Sequence, residues 1–490
     1  MTEFSDRINR EPFLKVGAVA NSLGKECYVV GGYVRDMMLQ RESKDIDFVT
    51  VGSGIELAQR LAEEEGKRAH LAVFRNFGTA QVLWKGFELE FVGARKESYQ
   101  RNSRKPIVED GTLVDDLSRR DFTINAMAVC VNPGDRFGQL IDLFDGWADL
   151  EDGLIRTPLD PDITFSDDPL RMLRAIRFAA KLGFSIVPET LEAISRNAER
   201  IKIISRERIA DEINKIMLSA LPSIGWNLLA YTGLLPHILP ELDAMRGVET
   251  VNGRAHKDNF DHTMQVLDKV AIKTAKMEAD KALWIRWGAL LHDIAKPVTK
   301  RWDEKLGWTF HNHNYIGAKM VKRIFRNLKL PMNEKMKLVE KLVELHMRPI
   351  ALVEDIVTDS AVRRLLFDAG DDIEALMTLC EADITSKNAE KVKRLNKNFQ
   401  LVRSKLAELE ERDRIRNFKP PVNGYDIMST FLLKPTDPVA VMQAVGELKN
   451  QVKEAVLDGV IANNHEEGMK YMIQQAASLG WMPGIRPIDD

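Results

Sequence analysis

The chain has 490 residues, of which 44% are hydrophobic and 29% charged, which is typical of a folded protein of several domains and excludes a disordered chain. With 70 basic and 73 acidic residues its formal net charge is -3, so any affinity for nucleic acid must come from local basic surfaces. Three widely spaced cysteines, the lack of a signal pattern and the lack of a long apolar run predict a cytoplasmic protein without disulfides or a membrane segment.

Up to about residue 150, short apolar strands such as CYVV and IDFV alternate with helical stretches such as IELAQRLAEEE, which predicts an α+β domain. After DPLRMLRAIRF nearly all apolar residues follow the helical period. A lysine-rich helical run from Lys387 to Arg416 leads to KPPVNG, which predicts the end of one helix and the start of a last helical module. We therefore predict domains over residues 1–150, 151–250, 251–416 and 417–490.

The stretch YVVGGYVRD predicts a buried strand, a glycine turn and a helix. Gly31 and Gly32 place no Cβ between the turn and a ligand, and the free N–H groups of the helix start point to the same place. Arg35 adds a forked donor for phosphate oxygens. These residues predict a phosphate-binding turn, although a plain strand-turn-helix junction has the same pattern.

Two acids follow on the next predicted strand. Asp45 and Asp47 of DIDF project from the same face of a strand, where two carboxylates repel each other unless solvent or a divalent cation separates them. Carboxylate oxygens beside a phosphate-binding turn suit Mg²⁺, and two such ions would support nucleotidyl transfer with release of pyrophosphate. Glu90 of FELEF would add a third carboxylate from a neighbouring strand. An exposed strand face explains Glu88 equally simply, and it explains Glu90 less well.

Four motifs occur in a fixed order: GGYVRD, DIDF, RRDFTINAMA at residues 119–128 and DDPLRMLRAIRFAAKLGF at residues 167–184. Together they resemble the bacterial-type (class II) tRNA nucleotidyltransferases, the CCA-adding enzymes, within the polymerase-β-like superfamily that also holds bacterial poly(A) polymerases. The resemblance implies an α+β nucleotidyltransferase head with a small mixed sheet, followed by an all-α neck, body and tail that hold the tRNA acceptor end. It also implies CTP and ATP as substrates.

The resemblance further implies roles for individual residues. Asp45 and Asp47 would bind Mg²⁺ in the head. The residues implied in nucleotide binding are Gly31, Gly32, Arg35, Asp36, Arg120, Asp168, Arg171, Arg174 and Arg177. The chain departs from the family at Asp167, where a glutamate is usual, so how this acid positions its neighbours is open.

The neck motif carries a base-reading hypothesis. Asp168 before Pro169 predicts a helix start, and Arg171, Arg174 and Arg177, spaced three apart, predict a basic stripe that faces outward. A carboxylate accepts from an exocyclic amine and an arginine donates to ring acceptors, so such a pair can imitate a templating base for C or A. A capping acid with solvated arginines is the simpler alternative.

The stretch between Glu90 and Arg119 resembles the family's flexible loop at full length. Because CC-only enzymes of the family have a shortened loop, the resemblance implies an enzyme that also adds A. A poly(A) polymerase or an A-adding enzyme would share the same head, and both stay open as alternatives.

Five of the nine histidines fall between Asp261 and His346. Four histidines and two aspartates occur in the order H…HD…H…H…D. This order resembles an HD phosphohydrolase domain, which holds divalent ions such as Mn, Ni, Co, Fe or Zn. The resemblance implies phosphatase or 2′,3′-cyclic phosphodiesterase activity, and a rival reading is an HD phosphohydrolase whose head only binds nucleotide or RNA. His311 is left out of the predicted ligand set, which is His262, His292, Asp293, His313, His346 and Asp383. The sequence leaves the oligomeric state open.

Overall fold

The structure is a computed structural model, and two compact units are described separately, Met1–Asp243 and Ala244–Asp490. The residues that it describes are 4–100, 103–354, 358–385, 388–413, 415–416, 418–431, 438–478, 481 and 483–484. The domain limits predicted from the sequence stay predictions.

Among its described residues the first unit contains an open mixed sheet and two separate strand pairs, β6–β7 and β10–β11. Its strands are β1 Cys27–Val30, β2 Asp45–Thr50, β3 Ala69–Phe74, β4 Thr79–Trp84, β5 Phe87–Gly93, β6 Arg95–Gln100, β7 Ser103–Asp110, β8 Met127–Cys130, β9 Leu140–Asp142, β10 Leu154–Ile155 and β11 Ser185–Ile186. Its helices are α1 Ser5–Ile8, α2 Phe13–Ser22, α3 Gly32–Met38, α4 Gly54–Glu65, α5 Leu113–Ser118, α6 Gly146–Glu151, α7 Pro161–Asp167, α8 Leu170–Leu182, α9 Pro188–Asn197, α10 Arg206–Met217, α11 Pro222–Tyr231, α12 Leu235–Ile238 and α13 Pro240–Asp243.

The sheet has the strand order β3-β4-β5-β2-β1-β8-β9. The pair β2–β5 is parallel and the other neighbouring pairs are antiparallel. One face is covered by aromatic side chains, since Phe48 stacks on Phe91 with ring centroids 5.3 Å apart and Phe13 of α2 packs on Phe48 at 6.1 Å. Because side chains alternate along a strand, this packing turns the residues next to Phe48 and Phe91 to the opposite face.

The opposite face is partly covered by α5. Leu117 of α5 packs in one buried cluster with Tyr28 and Val30 of β1 and Ala128 of β8. Thr112 caps this helix, because its hydroxyl accepts from the Asp115 N–H while the Asp115 carboxylate accepts from the Thr112 N–H. The RRDFTINA motif, which begins directly after α5, therefore starts over the centre of the sheet.

The predicted flexible loop between Glu90 and Arg119 has a defined backbone in part. Strands β6 and β7 pair antiparallel, with an irregularity in register between Ser98 and Gln100. Residues 101–102 lie outside the described residues. The structure thus differs from the sequence interpretation by placing a two-stranded ribbon where the resemblance implied a loop.

The second unit is mainly helical, with two short hairpins among its described residues. Its strands are β12 Thr250–Val251, β13 Arg254–Ala255, β14 Arg301–Asp303 and β15 Gly307–Thr309. Its helices are α14 Asn259–Lys273, α15 Ala279–Leu291, α16 Lys296–Thr299, α17 His313–Leu328, α18 Glu334–Leu345, α19 Met347–Glu354, α20 Asp359–Ala369, α21 Ile373–Asp383, α22 Ala389–Asp413, α23 Gly424–Thr430, α24 Pro438–Asp458 and α25 His465–Ser478. The prediction of an α+β head followed by helical regions is confirmed.

The lysine-rich run of the sequence is helix α22, and Lys387 lies outside the described residues. The following module begins at Gly424, where Asn423 caps α23 with a reciprocal hydrogen-bond pair to Asp426. A last core cluster joins α23, α24 and α25 through residues that include Ile427, Leu448 and Met472.

The β1–α3 turn depends on Gly31 more than on Gly32. Gly31 has φ +70°, and a Cβ at this position would lie 2.7 Å from Nη1 of Arg120. A Cβ on Gly32 would lie 3.6 Å from Arg35, which is ordinary contact. The turn therefore requires glycine at its first position only.

We expect Gly31→Ala to lower the free energy of unfolding by about 1–3 kcal/mol because it forces an L residue into a glycine conformation. Gly32→Ala is the matched control and should be nearly neutral, since the residue is helical and the space is free. Chemical denaturation followed by circular dichroism measures both. An equal loss in the two variants would contradict this account of the turn.

Candidate active site and candidate metal centre

The carboxylates predicted in the head lie on one face of the sheet. Asp45 and Asp47 are two residues apart on β2, and Asp47 is paired in register with Glu90 of β5. The pair Phe48–Phe91 packs on the other face, so Asp47 and Glu90 point to the face that α5 partly covers. Glu88 is paired with Asp45 on the same face and is exposed. The structure thus brings Asp45, Asp47 and Glu90 together.

The proximity of these carboxylates has an electrostatic cost. Burial raises the pKa of Asp47, the charge of Asp45 raises it further, and Arg120 opposes the rise. Burial and then the charge of Asp47 raise the pKa of Glu90. Each carboxyl group therefore ionises less readily than an isolated one. A cation between them would stabilise the ionised forms. The oxygen ligands and their charge fit a divalent metal ion.

The glycine turn and Arg120 lie next to Asp47. Val30 at the end of β1 pairs with Asp47, so Gly31 follows immediately beyond this carboxylate. Arg120 donates from Nη2 to the buried carboxylate of Asp116 at 3.0 Å. Asp116 also accepts from Arg119, and this acid was not singled out from the sequence. Arg120 is therefore held in place between Asp116 and the glycine turn.

Arg35 is buried beneath the turn. Its Nε and Nη2 donate to Oδ1 of Asp36 at 2.9 and 2.8 Å, and its Nη1 donates to Oδ1 of Asn125 at 2.7 Å. The guanidinium also lies 5.0 Å from the ring centroid of Phe178. Asp36 thus orients Arg35, and direct contact of either residue with a nucleotide stays a prediction.

The neck arginines lie on one side of α8 but do not form an outward-facing stripe. Arg174 donates from Nε to Oδ2 of Asp121 at 2.7 Å, and Arg177 pairs with Glu212 of α10 at 2.7 Å. The Arg177 side chain is only 11% exposed. The predicted outward orientation is wrong for Arg177, because α10 packs against α8 and covers it.

Arg171 links the neck helix to the RRDFTINA motif. Its Nη2 donates to the carbonyl oxygen of Arg119 at 2.6 Å. Asp168 precedes the helix in an extended conformation and accepts from the N–H of Leu170 at 3.2 Å, while α8 itself begins at Leu170. Asp168 therefore serves as a capping acid next to Arg171, with the helix starting one residue later than predicted.

Asp121 is a further acid that the sequence did not indicate. It is buried and accepts from Asn125 Nδ2 at 3.0 Å as well as from Arg174. Burial alone would raise the pKa of Asp121, but Arg174 and the Asn125 hydrogen bond bring it below its ordinary value. Only tertiary contacts identify Asp121 and Glu212, since each acid meets its arginine through the fold, whereas Asp116 lies three and four residues before Arg119 and Arg120 and has a local signal.

In the second unit, the six predicted HD residues form one cluster. His262 comes from α14, His292 and Asp293 follow α15, His313 begins α17, His346 follows α18 and Asp383 ends α21. The sets that meet ligand spacing are His262, His292 and Asp293, and Asp293, His313 and His346. Asp383 joins through its Oδ1, 2.8 Å from His262 Nε2. His311, which is outside the predicted set, is exposed.

Backbone carbonyls orient three of these imidazoles. The Nδ1–H groups of His292, His313 and His346 donate to the carbonyl oxygens of Ala289, Phe310 and Val343 at 2.7, 2.8 and 2.7 Å. A carbonyl oxygen only accepts, so each proton is on Nδ1 and each Nε2 lone pair points into the cluster. Burial lowers the pKa of His346 to about 4, which keeps this imidazole neutral.

The cluster fits a bound metal ion. His292 is fully buried and its Nε2 has no hydrogen-bond partner, although it lies 3.2 Å from Oδ2 of Asp293 without the required alignment. The Nε2 atoms of His313 and His346 face each other at 3.3 Å. Two lone pairs repel at this separation, which matches a shared ion with bonds of about 2.0–2.1 Å in tetrahedral geometry.

Comparison with known proteins places the chain in a family. Residues 27–156 match the Poly A polymerase head domain, residues 183–246 the probable RNA and SrmB-binding site of polymerase A, and residues 259–388 the HD domain. The Multifunctional CCA protein of Shewanella frigidimarina is 31% identical over 374 residues, which are 74% of this chain and 84% of that protein. The chain belongs to the family of CCA-adding tRNA nucleotidyltransferases.

Other relatives agree with this membership. The A-adding tRNA nucleotidyltransferase of Aquifex aeolicus is 46% identical over 188 residues, which are 38% of this chain and only 22% of that protein. The crystal structure of the Bacillus stearothermophilus CCA-adding enzyme in complex with CTP has the same fold, with a TM-score of 0.63, 24% identity and coverage of 96% of this chain and 99% of that one. Nucleotidyltransferases of this family use divalent metal ions. Among the described residues of this nucleotidyltransferase, no helix is long and apolar enough to cross a membrane.

We expect Asp121→Asn to lower the free energy of unfolding of this nucleotidyltransferase by about 3 kcal/mol near neutral pH, because it removes one partner of a buried ion pair. The pKa of Asp121 is lowered in the folded state, so its stabilisation is complete above the unfolded value of about 3.9 and is lost as the pH falls through the folded value.

Thermal unfolding of the variant and the parent from pH 7 down to pH 3 measures this difference. The difference between the thermal midpoints of parent and variant should be constant above about pH 5 and should become smaller in more acidic solution. Asp135→Asn, at an exposed position, is the control and should show no gap at any pH. A gap for Asp121→Asn that persisted unchanged to pH 3 would contradict the ion-pair explanation.

Proposed function

We propose that this enzyme adds CMP and AMP from CTP and ATP to the 3′ end of tRNA to build CCA, and that it releases pyrophosphate. The observation that carries the proposal is the group of Asp45, Asp47 and Glu90 at the glycine turn, with Arg120 held beside them by Asp116. We assign transfer to residues 1–150, base selection and RNA binding to 151–250, metal binding to 251–416 and tRNA contact to 417–490.

Mg²⁺ is the metal that we propose for the head. Its preferred ligands are carboxylate oxygens, and Asp45 and Asp47 would hold it while Glu90 adds negative charge. Divalent ions held by these residues would supply activation of the attacking 3′-hydroxyl and stabilisation of the leaving pyrophosphate. The chain's own contribution is to hold these acids in register and to aim Arg120 and the glycine turn at the triphosphate.

Base selection is proposed for Asp168 and Arg171. The Asp168 carboxylate accepts from an exocyclic amine, and the Arg171 guanidinium donates to ring acceptors of C or A. The hydrogen bond from Arg171 to the Arg119 carbonyl supports this role, since it joins the base-reading helix to the segment that carries Arg120.

Addition of A alone is the second candidate within this chemistry. It is favoured by the 46% identity to the Aquifex A-adding protein over 188 residues. The ribbon of β6 and β7, in the place of the family's flexible loop, supports an enzyme that adds A at least. We propose the cytoplasm as the location, because Cys27, Cys130 and Cys380 are all free and buried.

We expect tRNA that lacks CCA to be extended by three nucleotides when labelled CTP and ATP are supplied, and tRNA ending in CC to accept A only. Asp47→Ala should reduce this addition by at least about 10²-fold because the metal site loses a ligand. Failure to incorporate C on any tRNA would reject CCA addition in favour of the A-adding enzyme. Addition that survived Asp47→Ala would refute the head assignment.

A second activity is proposed for the HD cluster, where the orphaned Nε2 of His292 and the inward lone pairs of His313 and His346 support a metal-dependent phosphohydrolase. Asp293→Asn should abolish hydrolysis of 2′,3′-cyclic nucleotides and of p-nitrophenyl phosphate with Mn²⁺, Ni²⁺ or Co²⁺, and should spare nucleotide addition. Asp47→Ala should do the reverse. A parent protein inert toward these substrates would reject the second activity alone.

We expect Asp168→Ala to weaken the choice between CTP and ATP, because the acceptor for the exocyclic amine is removed. Loss of one such contact is worth about 1–3 kcal/mol of discrimination, or roughly 10–100-fold. Competition between CTP, ATP, UTP and GTP on one tRNA measures it. Asp167→Ala is the neighbouring control and should keep the choice of base. Equal effects of the two substitutions would show that Asp168 acts only as a helix cap.

A further inference from the structure

A cavity in the first unit lies apart from both candidate sites. Its volume is about 660 Å³. Helices α1 and α2 with the residues between them form one wall, and α3 with the connection from α3 to β2 forms another. The match to the Poly A polymerase head domain begins at residue 27, after α2. One wall of the cavity is therefore built from a part of this chain that precedes the matched domain.

Four cationic side chains line this cavity: Arg7, Arg10, Arg41 and Lys44. Arg7 donates to the carbonyl oxygen of Met37 at 2.9 Å and Arg10 donates to the hydroxyl of Tyr33 at 3.2 Å, so both contact neutral groups. Within the part of the chain that the structure describes, none of the four side chains forms an ion pair. The lining also includes two acids, Asp6 and Glu42. They balance only half of the positive charge, so the cavity favours an anion.

The unpaired charge ends at the cavity on the side of α2 and β5. Lys15 of α2 pairs with Glu64 at 2.9 Å, and Lys85, just before β5, pairs with Glu11 at 2.5 Å. These pairs neutralise the cations that would extend the basic surface. An RNA strand carries a charge at every nucleotide and is bound along a continuous basic groove. Cations gathered around one cavity fit a compact anion better.

The cavity also has an apolar floor. Phe13 and Tyr33 are buried there, with ring centroids 5.3 Å apart. Phe87 and Met37 are half-buried and keep part of their surface free. A ligand with both a flat ring and phosphate groups would use the apolar floor and the cations together. The volume lies within the range of about 300–1,000 Å³ for small-molecule sites, whereas a single phosphate would leave most of it to solvent.

The cavity is separate from the catalytic acids. Phe87 lies three residues before Glu90 on β5, and an odd spacing on a strand places the two side chains on opposite faces of the sheet. On α3, Tyr33 and Met37 line the cavity. Arg35, two residues from each, projects from the other side of this helix. Helix α3 therefore contributes its two sides to different sites.

We propose that this cavity is a second nucleotide site and that its ligand is a free nucleoside triphosphate. The base packs on Phe87 and Met37, and the phosphate oxygens accept from the four cations, which relieves the repulsion among them. This inference goes beyond the transfer reaction proposed above, because a nucleotide held on this face of the sheet is not the one that is incorporated.

Equilibrium dialysis with radiolabelled ATP and Mg²⁺, without RNA, counts the nucleotides bound to the full chain. We expect two ATP molecules per chain in the parent. Arg7→Gln combined with Lys44→Gln should weaken one of them at least about tenfold, because charged hydrogen-bond donors are lost. Lys67→Gln combined with Arg75→Gln removes the same charge from exposed positions of the same unit and should keep both. A parent that binds one ATP or none, or a folded double variant with two unchanged affinities, would overturn the proposal.

Lys44→Gln alone keeps the test decisive if the double variant has a lower thermal midpoint. The Lys44 side chain forms no hydrogen bond or ion pair with the described residues, so its replacement removes no contact that holds the fold. We expect this single change to weaken the second ATP about tenfold. A parent-like second affinity in folded Lys44→Gln would overturn the proposal.

Competition identifies the ligand. Inorganic tripolyphosphate should displace the second ATP only at a concentration at least about tenfold above that of unlabelled ATP, since it has no ring for the apolar floor. Equally strong displacement would overturn the nucleotide assignment in favour of an inorganic polyphosphate. A short single-stranded oligoribonucleotide should leave the second ATP bound. Its displacement by this oligoribonucleotide, but not in excess of its loss from Lys44→Gln, would overturn the proposal in favour of an RNA site.

Discussion

The register between β2 and β5 is the constraint on which the head depends. It places Asp47 directly beside Glu90, two residues after Asp45, in an arrangement that raises the pKa of both Asp47 and Glu90. The free energy that offsets the repulsion between these carboxylates comes from the other face of the same strands, where Phe48 and Phe91 stack and are fully buried. A shift of one residue would turn the acids into that core and the rings into solvent, so apolar packing fixes a polar geometry that is unfavourable by itself. The fold thereby preorganises a site that a cation completes.

A second constraint is the pairing of each important arginine with an acid or amide that the fold supplies. Asp116 holds Arg120, Asp121 holds Arg174, Glu212 holds Arg177, and Asp36 with Asn125 holds Arg35. Long side chains that are already immobile lose little entropy when an anion binds, and their charges are aimed before the triphosphate arrives. Because Asp116, Asp121 and Glu212 are buried, removal of any one would leave a guanidinium without its partner, which couples stability of the first unit to its chemistry.

The sequence predicted what is local in the chain. The i, i+2 spacing of Asp45 and Asp47 on a strand, the glycine turn after β1 and the order of the HD ligands all follow from short patterns whose geometry is set by one element. Asp116 lies within one helical turn of Arg119 and Arg120, so an i, i+3 and i, i+4 pattern could have indicated it. The sequence did not predict Asp121 or Glu212, because each pairs with an arginine that only tertiary folding brings near it. The error at Arg177 has the same origin: helical periodicity predicts which side of α8 a residue occupies, but it cannot show that α10 packs on that side.

The two candidate sites solve the problem of binding cations in different ways. In the head, oxygen ligands on a sheet are brought together by strand register, and positive charge stands beside them on Arg120, which suits a site that must also receive a triphosphate. In the HD cluster, imidazoles at helix ends are oriented by carbonyl oxygens three residues earlier. The carbonyls that orient His292 and His346 belong to α15 and α18, and the one that orients His313 belongs to the segment just before α17. His262 lies inside helix α14, where its Nδ1 meets Lys257 and Thr385 instead of a carbonyl. A ligand oriented by side chains can change its tautomer when those side chains move, whereas one oriented by a backbone carbonyl keeps its proton on Nδ1, and this difference separates His262 from the other three imidazoles.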